Sequence, residues 1–193
     1  MLAALACIAL QTSPLGAHPK IWENKKLHIR MSYPREWHSV KIKPDEDHEG
    51  MRTLFRAEPN GPGTTGFEIE IYPEPPTWLV TAFPMWPKSP FDTKAIVLQD
   101  LPNSPALNSP AEIEHIRGFI SCVQSITTVT TMRVSDAASF CFRSPKGDYI
   151  QFVAYTTTYG GATPEPDIPH PTAAYQSALP TFNAIVHSIT FTK

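Results

Sequence analysis

The chain has 193 residues and a mass of 21.4 kDa, which suits one domain with its own core and leaves little room for two. Hydrophobic residues make up 41% and aromatic residues 10%, enough apolar surface to exclude wholesale disorder. The formal net charge is −2 and no basic run of five residues occurs, so the sequence supports neither nucleic-acid binding nor a polybasic membrane surface.

The N-terminus is apolar. Residues 1–10 read MLAALACIAL, and a polar stretch with Pro and Gly follows up to position 17. This pattern is typical of a secretory signal and is too short to span a bilayer. Residues 4–7 also resemble a lipoprotein box, which leaves a lipid anchor open. We interpret residues 1–20 as a signal or disordered segment and residues 21–193 as one exported domain; the alternative is a cytoplasmic chain whose N-terminus is buried or frayed.

Four segments in the first half alternate apolar and polar residues, as half-buried strands do. A turn at Tyr33-Pro34 predicts that the first two of these strands pair, and the run Asn60-Gly61-Pro62-Gly63 predicts a turn between the last two. The four segments therefore predict an antiparallel meander. They are residues 27–31, 37–42, 51–57 and 67–72.

An acidic stretch at residues 45–50 matches the first half of a calcium-binding loop. Position twelve of that loop is Arg56 instead of a bidentate carboxylate, so the sequence favours a solvated acidic tip. The seven histidines form no close pair, and His28, His115 and His187 are interpreted as structural residues. The sequence contains no motif for a metal or a cofactor.

Residues 72–91 interleave prolines with large apolar side chains. Prolines lower the entropy lost on ordering, and Trp and Met offer large contact areas, so this stretch is a candidate surface for a protein partner or small ligand. The alternative is that its aromatics fold inward and cover one end of the sheet. Ser89-Pro90 then predicts the start of a helix over 89–100. The candidate contact residues are Trp78, Phe83, Met85 and Trp86.

A second group of segments rich in Val, Ile, Thr and aromatics predicts further strands. Turns are expected near Ser135-Asp136 and at 144–148. The predicted strands are residues 113–116, 119–130, 139–143 and 149–158.

Two cysteines, Cys122 and Cys141, lie in this strand-rich region, 19 positions apart. In an oxidising compartment they could form a disulfide, which would contribute about 3 kcal/mol. The alternative is two separate buried thiols, because a turn near Ser135-Asp136 would not place one cysteine opposite the other.

The C-terminal segment 172–187 carries apolar residues at helical spacing, which predicts an amphipathic helix that lies on the sheet. Pro180 is expected to bend or divide it, and residues 188–191 predict a last short strand. The apolar stripe consists of Tyr175, Leu179, Phe182, Ile185 and Val186.

These elements predict an α+β fold, an antiparallel sheet covered by a middle helix and a C-terminal helix. Tyr33-Pro34 followed by Trp37, and a closing helix that runs through 182–186 into 188–191, resemble the Mog1/PsbP-like fold over roughly 27–192. That group includes photosystem II extrinsic subunits, a Ran-binding nuclear transport factor and exported bacterial lipoproteins of the LpqN or DcrB kind. The exported bacterial branch suits the N-terminus best.

The resemblance implies a chiefly non-enzymatic protein, so we expect an exported accessory or binding protein that acts through surface contacts. The resemblance assigns no functional residue in this chain, because the matching positions are packing positions. Two alternatives stay open. One is a hydrolase or other enzyme with a site assembled from distant residues, such as His115 with Asp136 or Glu112; the other is an intracellular protein-binding factor.

Overall fold

A computed structural model describes residues 13–42, 50–59, 65–74, 108–113, 116–128, 132–144, 146–159 and 171–192. Within these ranges the chain forms ten strands and one helix. The strands are β1 Lys20–Asn24, β2 Ile29–Tyr33, β3 His38–Ser39, β4 Arg52–Glu58, β5 Thr65–Tyr72, β6 Asn108–Ile113, β7 Ile116–Thr128, β8 Met132–Arg143, β9 Tyr149–Tyr159 and β10 Thr190–Phe191, and the helix is α1 Ala173–His187.

The strands form two antiparallel sheets. β2 is the middle strand of a three-stranded sheet, between β1 and β10. The other seven strands form one sheet in the order β3-β4-β5-β9-β8-β7-β6. The predicted α+β class with an antiparallel sheet and a C-terminal helix is confirmed. The helix predicted at 89–100 lies outside the described residues.

The helix α1 buries the stripe that its sequence predicts. Tyr175, Phe182, Ile185 and Val186 are buried, and Leu179 packs against the same core from a half-buried position. Pro180 lies inside the helix on its exposed side, where its missing N–H costs least. The helix is therefore continuous across Pro180, and of the expected bend or division the division does not occur.

Each end of α1 is tied to a different sheet. At the N-terminus the backbone N–H of Thr172 donates to Asp136 Oδ2 in β8 at 2.6 Å, and Thr172 Oγ1 accepts from the N–H of Tyr175. At the C-terminus, Ser188 Oγ accepts from the N–H of Ser32 in β2 at 2.8 Å. Capping hydrogen bonds satisfy backbone groups that a helix end leaves unpaired, and here they also fix the position of α1.

Aromatic rings fill the core between the two sheets and the helix. The Phe67 ring stacks on Phe152 with centroids 5.3 Å apart, and Trp37 meets Phe182 edge-on at 6.4 Å. Tyr33 lies at 5.3 Å from the ring of Phe55. Each such side chain contributes about 1.5–3 kcal/mol by leaving water. The Tyr33-Pro34 and Trp37 positions are thus packing positions, as the sequence resemblance implies.

The region after Tyr33 differs from its prediction. The N–H of Trp37 donates to the carbonyl of Pro34, so the predicted turn forms. The strand that follows covers only His38–Ser39 and pairs with β4 instead of β2. The prediction that the first two strands pair is therefore wrong: β2 lies between β1 and β10, in the other sheet.

In the second half, one turn prediction and one strand prediction are wrong, and one turn prediction is confirmed. β8 runs unbroken through Ser135-Asp136, and residues 113 and 116 end one strand and begin the next instead of forming one strand. The turn at 144–148 forms, with the N–H of Ser144 donating to the carbonyl of Asp148. Gly147 has a φ of 98°, a conformation that suits glycine.

Part of the described chain lies before β1 and packs on the core. Leu15, which belongs to the segment interpreted as a leader, is buried in the core with 7% of its surface exposed. β1 itself was not predicted, although its Trp22 ring contacts Phe55 at 5.4 Å. Removal of the chain up to position 17 would take Leu15 out of the core.

Among the described residues, no helix has the length and apolar character that crossing a membrane requires.

Candidate functional site

Polar and ionisable side chains gather on the face of the seven-stranded sheet that points away from α1. Strand alternation causes this, because Phe67, Ile69 and Ile71 of β5 face the core and the residues between them face the other way. One row crosses five strands in register. It consists of Thr53, Glu70, Gln151, Cys141 and Phe119.

The acids of this face are paired with neighbouring side chains. Arg56 Nη2 donates to Glu68 Oε2 at 2.8 Å, and Tyr72 Oη donates to Glu70 Oε2 at 3.0 Å. Tyr155 Oη donates to a third carboxylate, that of Glu58, at 3.2 Å. We call these six residues the outer-face cluster. Hydrogen bonds of this kind satisfy acids that are partly removed from water.

Glu70 is the member whose protonation changes near neutral pH. Burial raises its pKa to about 7, and the adjacent charge of Glu68 acts in the same direction. The hydrogen bond from Tyr72 and the charge of Arg56 lower the pKa by less. Glu70 therefore exists as a mixture of acid and carboxylate at physiological pH.

Cys141 is an unreactive thiol. It is 1% exposed, packs with Phe119 and Tyr149, and carries no disulfide. Burial raises its pKa far above the ordinary value, with a further contribution from Glu70, so the nucleophilic thiolate does not form at neutral pH. Burial likewise raises the pKa of Tyr72 and Tyr155.

The alternative of a Cys122–Cys141 disulfide is wrong for this structure. The β7–β8 ladder places Cys122 opposite Ala138 and Cys141 opposite Phe119, so the two cysteines are three positions out of register. The turn predicted at Ser135-Asp136, which was expected to keep the cysteines apart, does not form. The observed β7–β8 register keeps them apart instead.

A separate cleft of about 440 Å³ lies at one end of the seven-stranded sheet. Its walls come from the start of β4, the end of β5 and the turn before β9. The residues of the outer-face cluster do not line it. The described lining residues are Gly50, Met51, Arg52, Ile71, Pro73 and Asp148.

The enzyme alternative pairs His115 with Asp136 or Glu112, and neither pair is tested, because His115 lies outside the described residues. Glu112 lies opposite Arg117, next to the cross-strand pair of Gly118 and Phe142. Asp136 lies six residues from Phe142 along β8, which corresponds to about 20 Å at the rise of a strand. Asp136 also binds the helix N-terminus. The candidate contact residues Trp78, Phe83, Met85 and Trp86 also lie outside the described residues.

Metal ligation finds no support in the described ranges, where no group of three His, Cys, Asp or Glu side chains converges. Of the acidic stretch at 45–50, only Gly50 is described, and Arg56 lies in β4 as a partner of Glu68. His28 lies at the start of the β2 region with a φ of 57°, and its carbonyl accepts from the N–H of Thr192 at 2.8 Å.

Comparison with known proteins identifies the fold. No family model matches the chain, and no curated protein matches its sequence. Among solved structures it is similar to cyanobacterial PsbP (CyanoP) from Synechocystis sp. PCC 6803, with a TM-score of 0.51 and 9% identity over 98% of each chain. The chain has the PsbP-like fold.

The PsbP-like fold confirms the resemblance drawn from the Tyr33-Pro34, Trp37 and C-terminal patterns. A second similar structure is LpqN of Mycobacterium tuberculosis, described as involved in cell envelope biogenesis, with a TM-score of 0.42 and 11% identity over 86% of this chain and 83% of that one. At these identities no individual site residue can be transferred.

Proposed function

We propose that this chain is a non-enzymatic accessory or binding protein, exported from the cytoplasm, that acts through surface contacts with a protein or a small ligand. The fold likeness to PsbP, which extends over the whole chain, supports this class of function. The sequence resemblance points the same way, because its fold group is chiefly non-enzymatic.

The pairing of the ionisable groups is the observation that carries the proposal. A general acid or base needs a path to its substrate, and a nucleophile needs activation. In the described part of the chain, Asp136 caps α1, Cys141 is buried as a thiol, and the carboxylates of the outer-face cluster bind Arg56, Tyr72 and Tyr155. The cleft, where a substrate would fit, contains none of these groups.

The contact surface in this proposal consists of Trp78, Phe83, Met85 and Trp86. Aromatic residues and Met are enriched at protein interfaces, where they supply large contact areas. These four residues come directly after β5, in a proline-rich stretch.

The experiment compares the natural chain with a Trp78→Ala/Trp86→Ala variant. Both are used to capture partners from source-cell extract, and both are melted. The proposal expects the double variant to lose a partner that the natural chain retains, with an unchanged melting temperature. A lower melting temperature with unchanged capture would instead assign the two tryptophans to the packing of the domain and contradict this contact surface.

Export is tested in the same cells. Mass spectrometry of the N-terminal peptide and fractionation of the cells should find a processed chain outside the cytoplasm. An unprocessed chain confined to the cytoplasm would refute export and favour an intracellular binding factor.

A further inference from the structure

The cleft at the end of the seven-stranded sheet contains two opposite charges that have not paired. Arg52 is exposed at the start of β4, and Asp148 lies half-buried in the turn before β9. Within the described ranges neither side chain forms an ion pair. Two opposite charges that line one cleft without neutralising each other leave both available to a ligand.

The backbone holds Asp148 in place. The N–H of Ser144 donates to the carbonyl of Asp148 at 2.8 Å, and the N–H of Asp148 donates back to Ser144 Oγ at 3.2 Å. Arg52, which also lines the cleft, pairs with Ile71 in the β4–β5 ladder. The backbone of both charged residues is therefore held by hydrogen bonds, which lowers the entropy lost when they bind a ligand.

The other side chains that line the cleft in the described ranges are apolar. They are Met51, Ile71 and Pro73, and Thr53 Oγ1 donates to Met51 Sδ at 3.7 Å. A volume of about 440 Å³ falls within the range of known small-molecule sites, near 300–1,000 Å³. An apolar lining with a few placed polar groups is also the usual composition of such sites.

We propose that this cleft binds a small zwitterion with an apolar body, an amino acid or a dipeptide, with Arg52 on the carboxylate, Asp148 on the ammonium and Met51, Ile71 and Pro73 on the side chain. Arg suits this role because its guanidinium can donate two parallel hydrogen bonds to a carboxylate. The inference rests on the proposed binding function and names a ligand class for it.

The experiment titrates the full chain with L-leucine and with leucyl-leucine, and follows binding by calorimetry and by the backbone amide signals of residues 51, 52, 71 and 148. N-acetyl-leucine lacks the cation, leucinamide lacks the anion and glycine lacks the apolar body. Arg52→Gln and Asp148→Asn remove one charge of the cleft each. Lys146→Gln, in the same turn, and Glu23→Gln, on β1, are the matched controls, since neither residue lines the cleft.

Saturable binding of leucine or of the dipeptide is expected, and which of the two binds more tightly identifies the ligand size. Each capped analogue and each cleft variant should bind about tenfold more weakly or worse, while the two controls should bind like the natural chain. The proposal is overturned if neither ligand binds at millimolar concentration, or if the capped analogues bind equally well. It is also overturned if both cleft variants bind the ligand with unchanged affinity. If the ligand titrations fail while the natural chain still captures its protein partner, only the ligand inference fails and the proposed binding function stands.

Discussion

The carboxylate of Asp136 and the backbone N–H of Thr172 are joined by a 2.6 Å hydrogen bond that connects the middle of β8 to the first turn of α1. Both residues are buried. One acid within a strand thus helps to position the helix on the sheet, and the same contact removes Asp136 from the groups available for catalysis.

Replacement of Asp136 tests this anchor. Asp136→Ala leaves the buried N–H of Thr172 without its acceptor and should lower the free energy of unfolding by about 3 kcal/mol, whereas Asp136→Asn keeps an oxygen acceptor and should cost about 1 kcal/mol. Urea denaturation at pH 7 measures both. Glu23→Ala, an exposed acid on β1, is the control. Equal stability of Asp136→Ala and the control would show that the bond does not hold the helix.

Glu70 should make the protein less stable as the pH rises. Its pKa in the fold is about 7 against an ordinary 4.5, so the fold favours the protonated acid. The stabilisation is complete below pH 4.5 and is lost as the pH rises to 7 and above, by at most about 3 kcal/mol. Cys141, Tyr72 and Tyr155 do not titrate in this window, because burial raises their pKa values.

The measurement is denaturant unfolding of the natural chain and of Glu70→Gln between pH 4.5 and 8. The variant cannot ionise at this position, so the difference in stability between the two proteins should change with pH, with the variant relatively more stable at pH 8. A difference that stays constant across the range would refute a buried acid at position 70. Glu23→Gln controls for a general effect of charge.

Leu15 should contribute to the stability of the domain although it belongs to the segment interpreted as a leader. Leu15→Ala removes a buried side chain and should cost about 2 kcal/mol in urea. Ile21→Ala is the control: that side chain is 51% exposed, and the change should cost less than about 0.5 kcal/mol. Similar costs at the two positions would mean that Leu15 does not belong to the core.

Cys141 should be protected by the fold and not by a disulfide. Without reductant, a thiol reagent should leave it unlabelled in the native protein and label it completely once the protein is unfolded. Peptide mass spectrometry reads both states. A peptide linked through Cys122 and Cys141 would contradict the free thiol.

Elements with strong periodicity could be predicted from the sequence. The stripe from Tyr175 to Val186 predicted α1 because burial of one helical face needs that spacing, and the alternation of 67–72 predicted β5. Strand partners were harder, since periodicity shows which face is buried and not which strand lies alongside. The pairing of His38–Ser39 with β4 is such a case.

Residues that usually mark turns caused the other errors. Ser135-Asp136 was predicted to form a turn. Asp136 is instead a buried acid in β8, and its carboxylate accepts a hydrogen bond from the N–H of Thr172, 36 positions later. Pro110 lies inside β6, a position that the sequence alone does not indicate; β6 is at the edge of the sheet as described, where a missing N–H is tolerated. Tertiary contacts of this kind leave no local pattern.

The candidate site was predicted least well. The alternation that places Glu68 and Glu70 on one face is visible in the sequence. The pairing of Arg56 with Glu68 and of Tyr155 with Glu58 needs the β4–β5–β9 register. The cleft joins Arg52 and Asp148 across nearly a hundred positions of sequence, which no motif connects.

The claim that this protein works through surface contacts is tested most directly by photo-crosslinking in intact source cells. A photoreactive residue is placed at position 78, and at position 23 in a control. The account predicts a crosslinked product from position 78 with one recurrent partner outside the cytoplasm, and none with that partner from position 23. Absence of any product from position 78, or a partner found only inside the cytoplasm, would contradict it.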